Sequence, residues 1–495
     1  MINFFKRLTP FQASLLLVLA TTIMRLVAGY STELTTDEAH YALYGLHLDW
    51  SYFDHPSLIG WLQALVLQFS DADLALRLVP IILFSVASMV MYQISVTLFP
   101  NESAWLGFVS VALMQSAVML QLIGLAMLPD GPLLLLGLLV LLVLHRILTI
   151  GHLKYWLWLG LLLGLAGLSK YTAVSLVITV LLALHFGKQW RQLLSWGPWL
   201  ALFLGFAVIT PVLYWNYQHE WISFLYQIHH GTGKLSWEIK RVIISQAGQL
   251  LVYGPGLYIF GMIALFFGLK KYKLLSDASE RGHMLFLALA LPLLVLFGWN
   301  SGYVMTLPHW TSLGWLALSP LAARWLIAMW HRPWVRVTLR FSLGYAVILV
   351  GVVFSQLVTP WLPFPDNTVA LRDLYGWGQA ARKAEFLRTE MLDASQAMPT
   401  LFTENWTLAS RLAWYARPAP VVVLDERINQ FDIWFGSPKN NARGILVMWP
   451  NAMAQPATGG RGQFATCTLR ERLPIYINGQ LASTFSYFAC HDFKN

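Results

Sequence analysis

Long apolar runs recur along this chain, and they decide what it can fold into. They lie at 11–29, 78–99, 104–122, 131–147, 156–169, 171–186, 197–215, 249–269, 284–299, 309–329 and 341–359. A backbone placed in lipid must satisfy its own N–H and C=O groups, so runs approaching ~20 apolar residues become helices. Only 12% of the 495 residues are charged and 57% are hydrophobic, whereas a soluble domain carries roughly 25% charged residues. The expectation is an α-helical polytopic membrane protein with about eleven transmembrane helices.

The charges between the runs give the orientation. Lys6/Arg7, Arg146/Lys154, Lys188/Arg191, Lys270/Lys271/Lys273/Arg281 and Arg332/Arg336/Arg340 fall in alternate connections. The positive-inside rule makes those connections cytoplasmic. Glu33, Asp37, Glu38, Asp49, Asp54, Asp71, Asp73, Asp130 and Glu220 then share the outer face. The net charge of +9 is spread over these short clusters, which excludes a nucleic-acid patch. Lys6 and Arg7 ahead of the first run resemble a signal peptide, but residues 28–36 offer no small-residue cleavage site, so the run is read as an uncleaved span with a cytoplasmic N-terminus.

From about Pro360 the character changes. Pro360–Asp366 is Pro-rich and reads as a linker. Beyond it Leu371–Leu392 has helical apolar spacing, while Val421–Leu424 and Gly444–Met448 read as short buried strands. The expected organisation is a membrane domain over 1–360 and a C-terminal α/β extracytoplasmic domain over 361–495, the odd span count placing the latter outside. The only cysteines, Cys467 and Cys490, show no zinc spacing. An oxidised pair and two free thiols both stand as readings.

Chemistry-bearing residues crowd the first outer connection, Thr36-Asp37-Glu38-Ala39-His40-Tyr41 followed by Tyr52-Phe53-Asp54-His55-Pro56-Ser57-Leu58. An Asp-Glu pair alone is commonly a pair of solvated loop acids; here histidines, aromatics and an Asp-His-Pro turn surround it. Two further segments stand out: Leu128-Pro129-Asp130-Gly131-Pro132-Leu133 opening a span, and Gly164-Leu165-Ala166-Gly167-Leu168-Ser169-Lys170-Tyr171-Thr172 between two spans.

With these four motifs in order on the expected outer face, the chain resembles the membrane-embedded glycosyltransferases of the GT-C fold. The resemblance is to the protein O-mannosyltransferase-like group and to the aminoarabinose and galacturonic-acid lipid A transferases. It covers roughly residues 10–360, and the tail resembles the periplasmic domain of such enzymes. It implies a polyprenyl-phosphate sugar donor whose phosphate departs, a lipid or glycolipid acceptor, and a multi-pass protein of the bacterial inner membrane with a periplasmic C-terminal domain. No nucleotide-binding glycine loop is needed, and none of the G-x-x-x-x-G-K-[ST] type is present.

The resemblance implies that Asp37 takes the acceptor proton, a task suited to a carboxylate within hydrogen-bond reach. Glu38 and Asp130 are expected to position the acceptor. Lys170 is expected to neutralise the departing phosphate, with Arg25, His55, His40 and Tyr41 around the donor. Bland readings stand beside each role. Glu38 caps the next helix; Asp130 is an N-cap or dipole partner; Lys170 snorkels; Arg25 forms an internal salt bridge. His55, His40 and Ser57 stand where the aminoarabinose relatives carry lysine, arginine and proline, which leaves the sugar open. The connection 216–248, with His229-His230-Gly231-Thr232-Gly233-Lys234, reads as a lid. No cofactor is required. A divalent metal on Asp54, His229 and His230, as in some relatives, is an alternative, and Pro308-His309-Trp310 either lines the cavity or packs at the interface belt. Protein O-glycosyl transfer from the same donor type is the second enzymatic reading. A lipid transporter or flippase is the competitor of another class, but it calls for internal repeats and interrupted spans, and no repeat is found.

Overall fold

The computed structural model describes residues 8–231, 236–270, 278–363, 372–392, 398–449 and 461–494, apart from the side chains at 229–231, 270 and 278–279. Its helices, in chain order, are α1 (Pro10–Ser31), α2 (Thr36–Leu46), α3 (Leu58–Leu67), α4 (Asp73–Leu98), α5 (Trp105–Ser116), α6 (Val118–Ile123), α7 (Asp130–Thr149), α8 (Leu153–Ser169), α9 (Val174–Phe186), α10 (Trp196–Gln218), α11 (Ile222–Gly231), α12 (Ile239–Lys270), α13 (Ala278–Asn300), α14 (Ser312–Ala328) and α15 (Pro333–Val358). Every expected apolar run lies on a helix. Among the described residues seven helices, α1, α4, α7, α10, α12, α13 and α15, are long and apolar enough to cross a membrane. The runs at 104–122, 156–169, 171–186 and 309–329 instead give short or interrupted helices: α5 has 12 residues and ends at extended Ala117, while α8, α9 and α14 have 17, 13 and 17.

The chain divides into two compact units, one of Met1–Leu26, His55–Ile59 and Arg77–Phe354, the other of Val27–Asp54, Gly60–Leu76 and Ser355–Asn495. The first is a helical body with an apolar core that runs from Val18 of α1 to Val335 of α15. Its packing relies on close backbone approach where side chains are small. On α8, a Cβ added at Gly160 would lie 2.4 Å from the Ala201 carbonyl oxygen of α10, and one at Gly164 would lie 2.5 Å from the Val208 Cβ. The Gly160-x-x-x-Gly164 spacing is the small-residue seam by which helices associate where lipid supplies no hydrophobic drive. Helix α12 breaks at Gly254-Pro255, where Gly254 adopts φ 77° and ψ 151°, a conformation essentially confined to glycine. The connection read as a lid over 216–248 is largely helical, being occupied by α11 and the start of α12.

The second unit is an α/β domain joined by residues 27–54 and 60–76. Its sheet runs β2-β1-β3-β5-β4, with β1 (Thr400–Thr403), β2 (Val421–Val423), β3 (Gly444–Met448), β4 (Gln463–Ile477) and β5 (Gln480–Lys494). The first three strands are mutually parallel, and β4 and β5 form a long antiparallel hairpin. Helices α16 (Trp377–Glu390), α17 (Trp406–Tyr415) and α18 (Gln430–Phe435) complete it. The expected strands at Val421–Leu424 and Gly444–Met448 are present. Helix α16 begins at Trp377 behind left-handed Gly376, and residues 364–366 of the expected linker fall outside the described residues. Cys467 and Cys490 lie opposite each other on β4 and β5 and form a disulfide.

Residues 27–54 and 60–76 belong to this unit because their polar groups are used in it. The Glu33 carboxylate accepts from the backbone N–H groups of Trp377 (2.7 Å) and Gly378 (3.0 Å), capping α16 from outside. The Tyr415 hydroxyl accepts from the Leu34 N–H at 2.7 Å and donates to Asp73 at 2.5 Å. Arg417 pairs with Asp71 at 2.7 Å, and Gln430 accepts from the Phe53 N–H at 2.7 Å. Several of the acids expected on the outer face are therefore structural fasteners.

Candidate active site

Within the first unit, the local sequence brings Asp130 and Lys170 together. Asp130 occupies the first turn of α7 without capping it. Lys170 follows α8 in extended backbone, φ −155° and ψ 142°, as the helix gives way to the short turn Tyr171–Ala173. The Ser169 hydroxyl donates to the Pro129 carbonyl at 2.6 Å, tying the two helix ends, and Lys170 Nζ reaches Asp130 Oδ2 at 2.7 Å. Lys170 and Asp130 are 7% and 5% exposed, so the lysine does not snorkel. A buried charge without a partner costs several kcal/mol, and this pair answers that cost locally. His309 and His55 lie within electrostatic range of Asp130.

A polar cluster continues from the break in α12. The Tyr253 hydroxyl donates to the Pro308 carbonyl at 2.9 Å and meets Ser312 Oγ at 2.8 Å. Gln249 Oε1 accepts from Thr311 and from the Trp315 indole, both at 2.8 Å. These bonds fix the turn Pro308–Thr311 that carries His309. Arg25 is fully buried but meets no carboxylate among the described residues. Its guanidinium donates to Gln121 Oε1 at 2.6 Å and Thr22 Oγ1 at 3.2 Å and lies 4.9 Å from the Phe84 ring centroid. The salt-bridge reading of Arg25 is thus replaced by amide and hydroxyl acceptors beside the interruption between α5 and α6.

Within the second unit, α2 carries the Asp-Glu pair in its first turn. Glu38 closes a capping box: the Thr35 hydroxyl accepts from the Glu38 N–H at 3.4 Å, and Glu38 Oε2 accepts from the Thr35 N–H at 3.0 Å. Asp37, one position earlier, is partly exposed. His40 is buried between Ser410 (Nδ1 to Oγ, 3.1 Å) and Asp54 (Nε2 to Oδ1, 3.5 Å), ringed by Tyr41, Tyr44, Trp406, Phe431 and Trp434. Asp54 also accepts from the Tyr44 hydroxyl. Tyr41 is buried against His40 and Tyr44. The side chains of His229 and His230 lie outside the described residues, and no group of three or more His, Cys, Asp or Glu side chains among the described ones is arranged for a metal.

The same unit supplies a cation near Asp37. Arg411, on α17, is 2% exposed. It forms an ion pair with Asp373, donates to the Asp373 carbonyl at 3.1 Å and the Thr407 carbonyl at 3.3 Å, and stacks 3.9 Å from the Trp377 ring centroid. Burial pulls its guanidinium below the ordinary arginine range, and Asp37, Tyr415 and Glu33 oppose that shift.

Comparison with known proteins decides the class. A dolichyl-phosphate-mannose-protein mannosyltransferase family model matches residues 54–215. Lipid A galacturonosyltransferase RgtD of Rhizobium johnstonii is 23% identical over 415 residues, covering 82% of this chain and 83% of that protein. ArnT of Cupriavidus metallidurans, in crystals without ligand and with undecaprenyl phosphate, has a TM-score of 0.60 against this chain at 13% and 14% identity, covering 96% of this chain and 97% of ArnT. The chain is a membrane glycosyltransferase of the GT-C fold. The transporter alternative is set aside accordingly.

The expected residues of this transferase divide between the two units: Asp130, Lys170 and His55 belong to the first, and Asp37, Glu38, His40, Tyr41 and Asp54 to the second. Arg25 keeps its own hydrogen-bond shell in the first unit. Tyr253, Asp373 and Arg411 are not legible as site residues in the sequence. For Arg411 the sole signal is helical spacing, which puts it four residues from both Thr407 and Tyr415 on α17.

Proposed function

We propose that this transferase moves a sugar from a polyprenyl-phosphate carrier to a hydroxyl of a lipid A or lipopolysaccharide-type glycolipid, at the outer face of the bacterial inner membrane. The buried Lys170–Asp130 pair carries the reading. A lysine held at the junction of two helices by a single carboxylate is a preorganised cation that can be handed to a departing lipid phosphate. The lipid A galacturonosyltransferase RgtD and the undecaprenyl phosphate bound to ArnT support the same acceptor and donor classes.

In this mechanism the acceptor oxygen attacks the anomeric carbon, the bond from that carbon to the phosphate oxygen breaks, and the configuration inverts. Asp37 receives the hydroxyl proton. Lys170 neutralises the charge developing on the phosphate, worth a few kcal/mol when preorganised in a water-poor site. Asp130 holds the lysine aimed until the donor arrives. Glu38 acts by fixing the first turn of α2, and so the position of Asp37, through its capping box. We place residues 361–495 in the periplasm, in keeping with the oxidised Cys467–Cys490 pair.

Mass spectrometry of glycolipids from cells with and without the gene, and with Asp37→Asn, tests this. The added sugar is expected to vanish in both the deletion and the variant while the variant still inserts in the membrane. Full transfer by Asp37→Asn would eliminate the base. The family match at residues 54–215 favours a second reading, transfer to protein hydroxyls. It would be recognised by unchanged glycolipids together with loss of a sugar from membrane or periplasmic proteins.

A further inference from the structure

We propose that the tip of the β4–β5 hairpin is a membrane anchor, seated in the interfacial layer of the leaflet at which α15 ends and tethering the C-terminal domain to the lipid surface. The sequence marks the tip first. No charged residue occurs from Leu473 to Cys490, directly after Arg470, Glu471 and Arg472. The strands turn at Asn478-Gly479, where φ is 51° and 77°, the left-handed pair that a tight two-residue hairpin turn requires.

The second unit pins this turn to the end of a span. Asn478 Nδ2 donates to the Pro360 carbonyl at 2.6 Å. Ile477 and Leu357 pack against the buried cluster of Leu374, Tyr375 and Ala482. Gln356 Oε1, in the last turn of α15, accepts from the N–H groups of Trp361 (3.0 Å) and Leu362 (2.9 Å). Ile475 is buried beneath Gly376, where a Cβ would lie 2.6 Å from Ile475 Cγ1. The turn is thus held beside the end of α15, a helix long and apolar enough to cross the bilayer.

Apolar groups nevertheless stay uncovered there. Tyr476 and Leu481 are cross-strand partners, 61% and 46% exposed, and Trp361 is 53% exposed. The Trp361 indole donates to Ser355 Oγ at 3.2 Å, which lays the ring along the last turn of α15. Tyr and Trp are the side chains enriched where a span meets the headgroups, with the ring in the apolar layer and the polar atom in the wet one. The charged residues limit the depth. Arg472 is exposed and lies four residues before Tyr476, about 13 Å along the strand at ~3.3 Å per residue. It stays out of the hydrocarbon and faces the anionic headgroup layer. The leaflet is the occupant because the span to which the tip is fastened already lies in it. The anchor goes beyond the transfer reaction and does not depend on it.

The test uses full-length protein reconstituted in liposomes of phosphatidylcholine and phosphatidylglycerol, with the Cys467–Cys490 disulfide intact and one added cysteine carrying an NBD fluorophore. Tyr476→Cys and Leu481→Cys report the tip from its two strands, so one disturbed variant leaves the other to decide. Gln463→Cys, exposed at the far end of β4, is the aqueous control. The tip labels are expected to emit to the blue of the control and to be quenched by lipids brominated near the headgroup end of the acyl chain. The control should be quenched by aqueous iodide alone. Tip labels quenched by iodide and indifferent to brominated lipid overturn the proposal. Tip labels shielded from both quenchers overturn it too, since a second copy of the chain would then cover the hairpin. No substrate enters the assay, so its failure leaves the transfer reading standing, and failure of the Asp37→Asn test leaves the anchor standing.

Discussion

At the scale of single residues, the Asp130–Lys170 pair shows how one contact can serve both stability and chemistry. Removing either partner leaves the other buried and uncompensated, which costs about 3–5 kcal/mol. Lys170→Met is therefore expected to lower the thermal unfolding temperature in detergent and to abolish transfer. The double variant Lys170→Met/Asp130→Asn should recover most of the stability, because the lone carboxylate is gone, while transfer stays absent. Recovery of transfer in the double variant would deny Lys170 any part in the reaction. The types of the site residues were legible in the sequence: Asp37, Asp130 and Lys170 stood out as charges next to apolar runs. Their partners were not. Nothing in the order of residues says that Lys170 meets Asp130 forty positions away, that Glu38 uses its carboxylate in a cap, or that Arg25 donates to a glutamine amide within the first unit. Long-range pairing of polar groups depends on how helices are packed, and hydropathy does not encode it.

At the scale of elements, the position of Lys170 depends on how closely α8 and α10 approach. Gly160 permits that approach, since a Cβ there would stand 2.4 Å from a backbone oxygen that cannot rotate away. Gly160→Val is expected to force the helices apart at a cost of roughly 1–3 kcal/mol, and to reduce transfer by displacing the end of α8. Gly298 on α13 is the control: a Cβ there meets nothing within 4 Å, so Gly298→Ala should be neutral or stabilising by up to about 1 kcal/mol through the lower helix propensity of glycine. Thermal unfolding of the two variants side by side checks both. Equal stability of Gly160→Val and the parent would refute the tight seam. The elements themselves were largely readable, because apolar runs in a low-charge chain have few alternatives to helix. The interruptions were not, since Ala117 and the Gly254-Pro255 break sit inside runs that read as continuous or near-continuous spans. The β4–β5 hairpin carries a strong turn signal at Asn478-Gly479, but the run Arg470, Glu471 and Arg472 in β4 hides its strand alternation.

At the scale of the whole molecule, the sequence boundary near residue 360 and the compact units differ, because the first outer segment folds with the C-terminal domain through Glu33, Asp71, Asp73 and Gln430 contacts. This ties the proposed orientation to a single check. If residues 27–54 face the periplasm, so must 355–495, and the Cys467–Cys490 pair then forms in an oxidising compartment. The two cysteines are 23 residues apart, and closing a loop of that length removes about 3 kcal/mol of unfolded-chain entropy. In intact cells a maleimide probe is expected to label neither cysteine until a reductant is added, and the Cys467→Ser/Cys490→Ser variant should unfold at lower temperature with its helical spans still inserted. Labelling before reduction would show free thiols, would put the domain on the reducing side, and would carry Asp37 there with it, away from any acceptor in the outer leaflet.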